Sequence, residues 1–248
     1  MKLMAVRAPA APTPFDPRRR SDRTEWLDEA DLHPDELAAV LRDLARFNGG
    51  MFGHRPILAW LERAVNAAGR ERPLTVLDVG CGYGDLLRAI RKRARRRGWD
   101  MRLIGLDVSR ESIRVAESVT VPGDAIDYRT GNVFEFVPTA PVDFVVSSLL
   151  AHHLTDAMIV DFLRWMESTA RRGWLLCDLQ RHRLSYEFIG FAGKLTRLHR
   201  AVIHDGRISV ARALTRAEWI DRIAAAGIAR DAVALRWFLF RHVIGRLK

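Results

Sequence analysis

Apolar strand patterns and amphipathic helix patterns alternate along the middle of the chain. Short apolar runs predict buried strands at residues 74–79, 102–108, 126–129, 142–148 and 174–178. Between them, apolar residues recur at helical spacing over residues 85–97, 109–118 and 155–170. This order predicts an α/β fold, in which a mostly parallel sheet is covered by helices on both faces.

The alternation is interrupted after the fifth strand and then resumes. Residues 181–213 mix aromatic and basic side chains and fit neither pattern. Thr215 and Glu218 then form a capping box that predicts a helix to about residue 226. Two closing strands, near residues 232–237 and 238–244, bring the predicted sheet to seven strands.

The N-terminal third is organised differently. Residues 1–21 carry four prolines and a run of three arginines, typical of a mobile basic arm. Leucine and valine recur at helical spacing from residue 22 to 46, which predicts one amphipathic helix, and a second helical stretch covers 56–67. We therefore expect N-terminal helices over residues 22–70 and the α/β domain over residues 71–248.

The composition is that of a globular protein. Of the 248 residues, 48% are hydrophobic and 28% charged, and the longest uncharged run has 12 residues, short of the roughly 18–20 of a membrane-spanning helix. No signal-peptide pattern follows the initiating methionine. Cys81 and Cys177 show no disulfide-framework spacing. Reduced thiols and a cytoplasmic location are the expectation.

The charge balance is strongly basic. A net charge of +10 is carried by 36 arginines against 4 lysines, which favours anionic partners, although a GC-rich coding sequence produces the same skew. Residues 88–97 alone hold seven basic side chains. A solvated helix face is the first explanation for them, and contact with a membrane surface or with RNA are the alternatives.

A glycine-rich segment follows the first predicted core strand. Gly80, Gly82 and Gly84 allow a sharp turn, and the N-terminus of the next helix offers unpaired N–H groups to a ligand. A dinucleotide-binding G-x-G-x-x-G pattern would need glycine at position 85, which is Asp85. The segment predicts a cofactor site that is not typical of nicotinamide dinucleotides.

Asp78 and the three glycines make this segment similar to the first motif of the class I S-adenosylmethionine-dependent methyltransferases, an acidic residue followed by G-x-G-x-G. Asp107 ends the second strand, where that family places the acid that accepts both ribose hydroxyls. The resemblance implies a Rossmann-like domain that binds S-adenosyl-L-methionine through Asp78, Gly80, Gly82, Gly84 and Asp107.

The same resemblance implies further cofactor contacts. Asn132 stands where the family often has an aspartate that contacts the adenine amino group, and its amide oxygen can accept the same bond; an ordinary turn asparagine is the alternative. The remaining cofactor contacts that we expect are Cys81, Val108, Val133 and Ser147.

Two adjacent histidines, His152 and His153, follow the fourth core strand. Methyl transfer to a hydroxyl requires removal of its proton, and an unperturbed histidine pKa of about 6.5 suits a general base. Many small-molecule methyltransferases have a similar His-His-Leu stretch here. We expect His152 to be the base, with His153, or no histidine, as alternatives. The two histidines and Asp178 lack a recognised metal-ligand spacing, so no metal site is predicted.

The insertion after the fifth strand is expected to contact the acceptor. We predict that residues 181–213 form a mobile cover over an apolar pocket, with Phe188 and Phe191 facing the substrate; an ordinary surface helix is the alternative. The Asp-Leu-x-Arg stretch from Asp178 and the His-Asp-Gly-x-x-Ser stretch from His204 resemble bacterial methyltransferases encoded with type III polyketide synthases. That resemblance implies O-methylation of a lipophilic phenol or polyketide.

Two other functions stay open at this point. An RNA methyltransferase would use the basic surface, but the chain has no Asn-Pro-Pro-Tyr motif and no proline-linked catalytic cysteine. A non-catalytic partner subunit would not need the intact glycine segment with its two acids. A small-molecule acceptor therefore remains the leading expectation.

Overall fold

The protein was analysed as a computed structural model that describes residues 15–29, 33–68, 73–195 and 200–248. Its strands are β1 (Leu74–Val79), β2 (Met101–Asp107), β3 (Ile126–Thr130), β4 (Val142–Ser148), β5 (Ala170–Leu179), β6 (Ala234–Phe238) and β7 (Arg241–Leu247). They form one seven-stranded sheet in the order β3-β2-β1-β4-β5-β7-β6.

The sheet is parallel from β3 to β5 and ends in an antiparallel hairpin. β7 pairs antiparallel with both β5 and β6. Every residue of β1 is buried, as expected for a central strand covered on both faces. The predicted seven-stranded, mostly parallel α/β sheet is confirmed.

The helices are α1 (Trp26–Glu29), α2 (Pro34–Gly50), α3 (Arg55–Ala68), α4 (Asp85–Arg97), α5 (Arg110–Ser118), α6 (Asp156–Thr169), α7 (Arg183–Leu195), α8 (Arg200–Arg212) and α9 (Arg216–Ala225). Within the described ranges, no helix is both long enough and apolar enough to cross a lipid bilayer. The predicted capping box is present at the start of α9, where Thr215 and Glu218 bond to each other's backbone N–H groups.

Alternate residues of the central strands pack into two different layers. Phe144 of β4 is fully buried against α3 and α4, and its ring meets Trp60 edge-on at 5.8 Å between centroids. Val145 points to the opposite face, where Phe162 of α6 and Trp219 of α9 complete a second buried layer. Because successive side chains of a strand point to opposite faces of the sheet, one run of apolar residues contributes to both buried layers.

The strand ends bring the chemistry-bearing residues to one edge of the sheet. Val79 lies beside Leu106 on one side and Ser147 on the other in the strand register. The residues that follow these three positions therefore emerge together at the carboxyl edge, where ligands of open α/β sheets bind.

The N-terminal helix predicted over residues 22–46 is two helices in the structure. α1 ends at Glu29, and α2 starts anew at Pro34, with the His33 side chain accepting a hydrogen bond from the Asp35 N–H. Proline suits the first turn of a helix but interrupts a helix interior, which explains the division. Residues 30–32 lie outside the described part of the chain.

The packed part of the chain begins before the predicted boundary of the basic arm. Residues 1–14 of that arm lie outside the description, but Phe15 stacks on Tyr186 with ring centroids 4.5 Å apart. Arg20 donates to the carbonyl of Leu154 at 2.7 Å, and Ser21 donates to that of Ala211 at 3.0 Å. These long-range bonds have no signature in local composition.

Phe144 offers a test of the sheet core. Phe144→Ala should lower the free energy of unfolding by about 3–5 kcal/mol, because a fully buried ring is replaced by a cavity. Chemical denaturation measures the loss. Phe191→Ala is the matched control, since that ring is 68% exposed and should change the unfolding midpoint little. Equal midpoints for the two variants would contradict the assignment of Phe144 to the core.

Candidate functional site

A cavity of about 720 Å³ opens at the carboxyl edge of the sheet. The segment after β1, the end of β2, the turn after β4, and the helices α2 and α8 all contribute to its wall. Six of the ten predicted cofactor residues line it: Asp78, Gly80, Cys81, Gly82, Asp107 and Val108.

The glycine segment adopts a backbone that other residues rarely take. Gly80 has φ 71° and Gly82 has φ 47°, both in the left-handed region. A Cβ added to Gly82 would meet no atom within 4 Å, so the space beside it is open to a ligand. Gly84 also has positive φ, but a Cβ there would collide with the hydroxyl of Tyr128. Gly84 thus serves local packing rather than the cavity wall.

Asp78 places a buried carboxylate directly beneath this segment. It is 1% exposed, and its Oδ1 has no hydrogen-bond partner in the described part of the chain. Burial raises the pKa of Asp78 well above its usual range, and the charges of Asp85 and Asp107 raise it further. An unpaired buried oxygen on a cavity wall fits a ligand that brings a hydrogen-bond donor.

Asp107 connects the glycine segment to the end of β2. Its Oδ2 accepts the Gly82 N–H at 2.8 Å, and its Oδ1 accepts the Ser109 N–H at 2.9 Å. Burial raises the pKa of Asp107, while these bonds and the nearby charge of His153 act in the opposite direction. Because a carboxylate offers about four lone-pair positions, these two bonds leave capacity for a ligand hydroxyl. Val108, 76% exposed, adds an apolar surface beside it.

Three further predicted cofactor residues lie away from the cavity wall. Ser147 donates to the carbonyl of Val79 at 2.8 Å and so joins β4 to β1. The Oδ1 of Asn132 accepts the Phe134 N–H at 3.1 Å, which is the turn role of an asparagine, and Val133 is buried in the core. None of the three lines the cavity, although the Ser147 hydroxyl bonds to the residue directly before Gly80.

His152 is held by a buried carboxylate. The Asp178 Oδ1 accepts from His152 Nδ1 at 2.6 Å, and its Oδ2 accepts the backbone N–H of His152 at 3.0 Å. Burial alone would raise the pKa of Asp178, but the His152 charge and the hydrogen bonds, including one from the Leu179 N–H, lower it below its usual value. An ionised Asp178 accepts from Nδ1–H, so in the neutral form of His152 the ring lone pair lies on Nε2.

The histidine turn (Ala151–His153) is fixed by backbone bonds as well. Leu149, before it, has φ 59°, an uncommon conformation for leucine, and its N–H donates to the carbonyl of Cys177 at 2.9 Å. Arg212 donates to the carbonyls of His152 and His153 at 3.0 and 2.9 Å. The positions of both imidazoles are therefore set by the surrounding chain.

Glu25 completes the cluster, and the sequence analysis did not single it out. Its Oε1 lies 3.6 Å from His152 Nε2 and 3.8 Å from His153 Nε2, and it accepts from the Ser209 hydroxyl at 2.7 Å. One donor atom from each of Glu25, His152 and His153 lies within 4.8 Å of the others. Metal-binding motifs are recognised in a sequence by ligands a few residues apart. Residue 25 is too far from residues 152 and 153 to form such a motif.

Glu25 is positioned by the inserted helix α8. The Asp205 carboxylate accepts the N–H groups of Trp26 and Leu27 at 2.9 and 3.0 Å, so it caps α1 directly after Glu25. Asp205 and Ser209 belong to the predicted His-Asp-Gly-x-x-Ser stretch. That stretch was the signal in the sequence for this part of the site. In the structure it bonds to the N-terminal segment that carries Glu25.

The opposite part of the cavity is largely apolar. Leu37, Leu41 and Leu44 of α2 face Ile189 of α7 and Val202 of α8. The insertion therefore does reach the cavity, as predicted.

The prediction that Phe188 and Phe191 face this pocket was wrong. Phe188 stacks on Phe240 at 4.7 Å, and Phe191 is exposed. Ile189, which lies between these two residues on α7, lines the cavity instead.

Most arginines of the basic helix α4 form hydrogen bonds or ion pairs with other parts of the protein. Arg88 and Arg91 donate to the backbone carbonyls of Tyr83 and Met101 at 2.7 and 3.0 Å. Arg93 and Arg97 both pair with Glu62 of α3, and Arg95 pairs with Asp124 at 2.8 Å. These bonds occupy groups that an RNA or lipid surface would otherwise contact.

Comparisons with known proteins agree with this geometry. Residues 76–173 match the family model described as "Methyltransferase domain". A release factor glutamine methyltransferase of Enterococcus faecalis is 30% identical over 156 residues, 53% of this chain and 55% of that protein. A trans-aconitate 2-methyltransferase of Mycobacterium tuberculosis is 30% identical over 116 residues, 46% of this chain and 40% of that protein. The chain thus spans about half, or less, of these curated relatives.

A solved structure shows the same fold over nearly its whole length. The plantazolicin methyltransferase BpumL, in complex with SAH, is 14% identical, with a TM-score of 0.62 over 87% of this chain and 95% of that one. Fold, glycine segment and family model converge on one assignment. Residues 76–173 are similar to the methyltransferase domain family, and the described chain has the fold of a solved methyltransferase.

Proposed function

We propose that this protein transfers the methyl group of S-adenosylmethionine to a hydroxyl of a small lipophilic molecule, a phenol or a polyketide. The observation that carries the proposal is the shared cavity: the glycine segment with its two acids and the histidine turn line the same space, next to an apolar wall. Cofactor, proton acceptor and lipophilic acceptor would therefore meet without further rearrangement of the chain.

The residues around the glycine segment fit the cofactor. The Asp107 carboxylate would accept the ribose hydroxyls with its remaining lone-pair capacity, and the unpaired Oδ1 of Asp78 would accept a donor from the amino-acid part. The sulfonium supplies an activated methyl group, so the protein's own task is to orient the acceptor and to take away its proton.

The histidine turn supports a hydroxyl as acceptor. Asp178 fixes the tautomer and orientation of His152, the arrangement by which carboxylates prepare histidine bases in enzymes. His153 lies on the cavity wall beside it, close enough to act on Asp107 electrostatically. We assign removal of the acceptor proton to this turn, with His152 as the first candidate.

One buried cation suggests that the acceptor is also acidic. Arg241 is 6% exposed and lines the cavity; its Nη2 donates to Asn48 at 3.0 Å, but its Nη1 has no partner within the described residues. Buried guanidinium groups are normally paired, so a carboxylate or enolate on the acceptor would complete the site. Trans-aconitate, named for the mycobacterial relative, is an acidic small molecule of this kind.

The acceptor class can be tested directly with labelled cofactor. The enzyme is incubated with methyl-labelled S-adenosylmethionine and a cell extract that has been divided into lipid, small-molecule and RNA fractions. We expect label in the lipid or small-molecule fraction, because the apolar wall is enclosed and the α4 arginines are engaged. Mass spectrometry identifies the product. Label confined to RNA would overturn the proposal.

Asp107 provides a test of cofactor binding. Asp107→Asn removes the charge with little change of shape, and it should weaken S-adenosylmethionine binding by about 1.5–3 kcal/mol, the range for hydrogen bonds to charged groups. Calorimetry measures the change. Asp127→Asn on β3 is the control, because that carboxylate is half-exposed and pairs only with Arg129 in the described structure. An unchanged dissociation constant in a folded Asp107 variant would remove the ribose assignment.

His152 provides a test of proton removal. His152→Ala should lower turnover of the identified acceptor by roughly 10²- to 10⁴-fold, the usual contribution of a general base, while cofactor affinity stays the same. Turnover and calorimetry are measured on the same preparation. His182→Ala, at an exposed histidine of the insertion, is the control. Full activity of His152→Ala would exclude this residue and direct the same experiment to His153.

A further inference from the structure

Glu25, His152 and His153 present three metal-binding atoms to one point on the cavity wall. We propose that these residues bind a divalent transition-metal ion, of the Zn²⁺ or Fe²⁺ class, that contacts the acceptor. The role of the ion rests on the proposed function, but its binding does not.

The distances within the cluster favour a shared ion over direct hydrogen bonds. The separations of 3.6 Å and 3.8 Å from Glu25 Oε1 to the two Nε2 atoms are too long for hydrogen bonds. Ligand atoms that each lie about 2.0–2.2 Å from a tetrahedral metal ion are about 3.3–3.6 Å apart. The two separations from Glu25 are close to that spacing, and the two imidazole nitrogens lie within 4.8 Å of each other.

The surroundings hold two of the ligands in a metal-binding orientation. The Nδ1–H of His152 is engaged by Asp178, which directs the Nε2 lone pair toward the cluster. Such carboxylate–histidine–metal arrangements are the usual support of histidine ligands. The Ser209 hydroxyl donates to the Oε1 atom of Glu25 and so holds this oxygen beside the two imidazoles. The structure therefore contains both the ligands and the groups that keep them in place.

The ligand types select the class of metal. Two imidazoles and one carboxylate suit zinc and iron, whereas magnesium and calcium prefer oxygen ligands throughout. Only three protein ligands are present in the described cluster, and His153 is partly exposed to the cavity. One or more coordination positions would therefore remain for an acceptor oxygen, as in catalytic rather than structural metal sites.

Coordination at this point would assist methyl transfer. A metal-bound hydroxyl would have a lowered pKa and would give its proton to water as its oxygen bonds to the methyl carbon and the carbon–sulfur bond breaks, which would yield the methyl ether and S-adenosylhomocysteine. His152 would then hold the ion through Nε2, and the loss of turnover expected for His152→Ala would report the loss of the ion and not of a general base.

The test measures metal binding without any acceptor. The full chain, freed of metal with a chelator, is titrated with Zn²⁺ by calorimetry and with Co²⁺ by visible absorption, which reports the coordination geometry. We expect one ion per chain and a Co²⁺ spectrum with nitrogen ligation. Glu25→Gln and His153→Ala should each weaken binding by roughly 100-fold, at or beyond the upper end of the effect of supporting residues.

Controls separate this site from incidental binding. His182→Ala removes an exposed histidine and should leave the affinity and the spectrum unchanged. Circular dichroism and cofactor calorimetry verify that the Glu25 and His153 variants are folded. A wild-type chain that binds no ion, or folded variants that bind as tightly as the control, would overturn the proposal.

The proposed metal site and the proposed methyl transfer can be contradicted independently of each other. Methylation that continues at full rate in chelator-treated, metal-free enzyme would reject the role of the ion and leave the proposed function intact. One-to-one binding that depends on Glu25, in a protein that methylates no small molecule, would support the metal site and reject the proposed function.

Discussion

The arrangement of the site depends on one buried carboxylate, Asp178 at the end of β5. Burying this charge is costly, and three hydrogen bonds at 2.6–3.0 Å compensate for the lost water. Two of them come from His152, one from the ring and one from the backbone. The carboxylate therefore holds the backbone of the turn in place and also selects the tautomer of the His152 ring. Without Asp178 the turn after β4 would lose both of these bonds.

The remaining parts of the site are assembled around that turn from distant segments. Arg20 and Arg212 bind its carbonyls, and Asp205 holds the segment that carries Glu25. The glycine segment, Asp107 and the histidine turn itself lie within residues 76–173, the segment that matches the methyltransferase family model. Glu25, Asp178 and Ser209 all lie outside it. The similarity to the family model therefore does not extend to these three residues, which support the histidine turn and its cluster.

The cofactor half was predictable from sequence because its requirements are local. A left-handed turn needs glycine, so Gly80 and Gly82 are visible in the sequence, and buried parallel strands appear as apolar runs. The acceptor half was not, because its contacts join residues far apart in the chain: Asp205 caps a helix 179 residues before it. The prediction for the aromatic residues of α7 was wrong because it was based on residue type. Which side chain enters the cavity depends on which face of the helix points toward it.

The excess of arginine has a structural explanation in this fold. Arg20, Arg181 and Arg212 each donate to backbone carbonyls that the ends of strands and helices leave unpaired. The planar guanidinium group, with five donors, can satisfy several carbonyls at once, which a lysine ammonium on its flexible stem does less well. Their charge persists, but these groups are held in the packed structure and are not free to follow a phosphate backbone. A net charge of +10 in this chain is consequently weak evidence for a nucleic-acid partner, and the largely apolar cavity is the better guide to the acceptor that we propose.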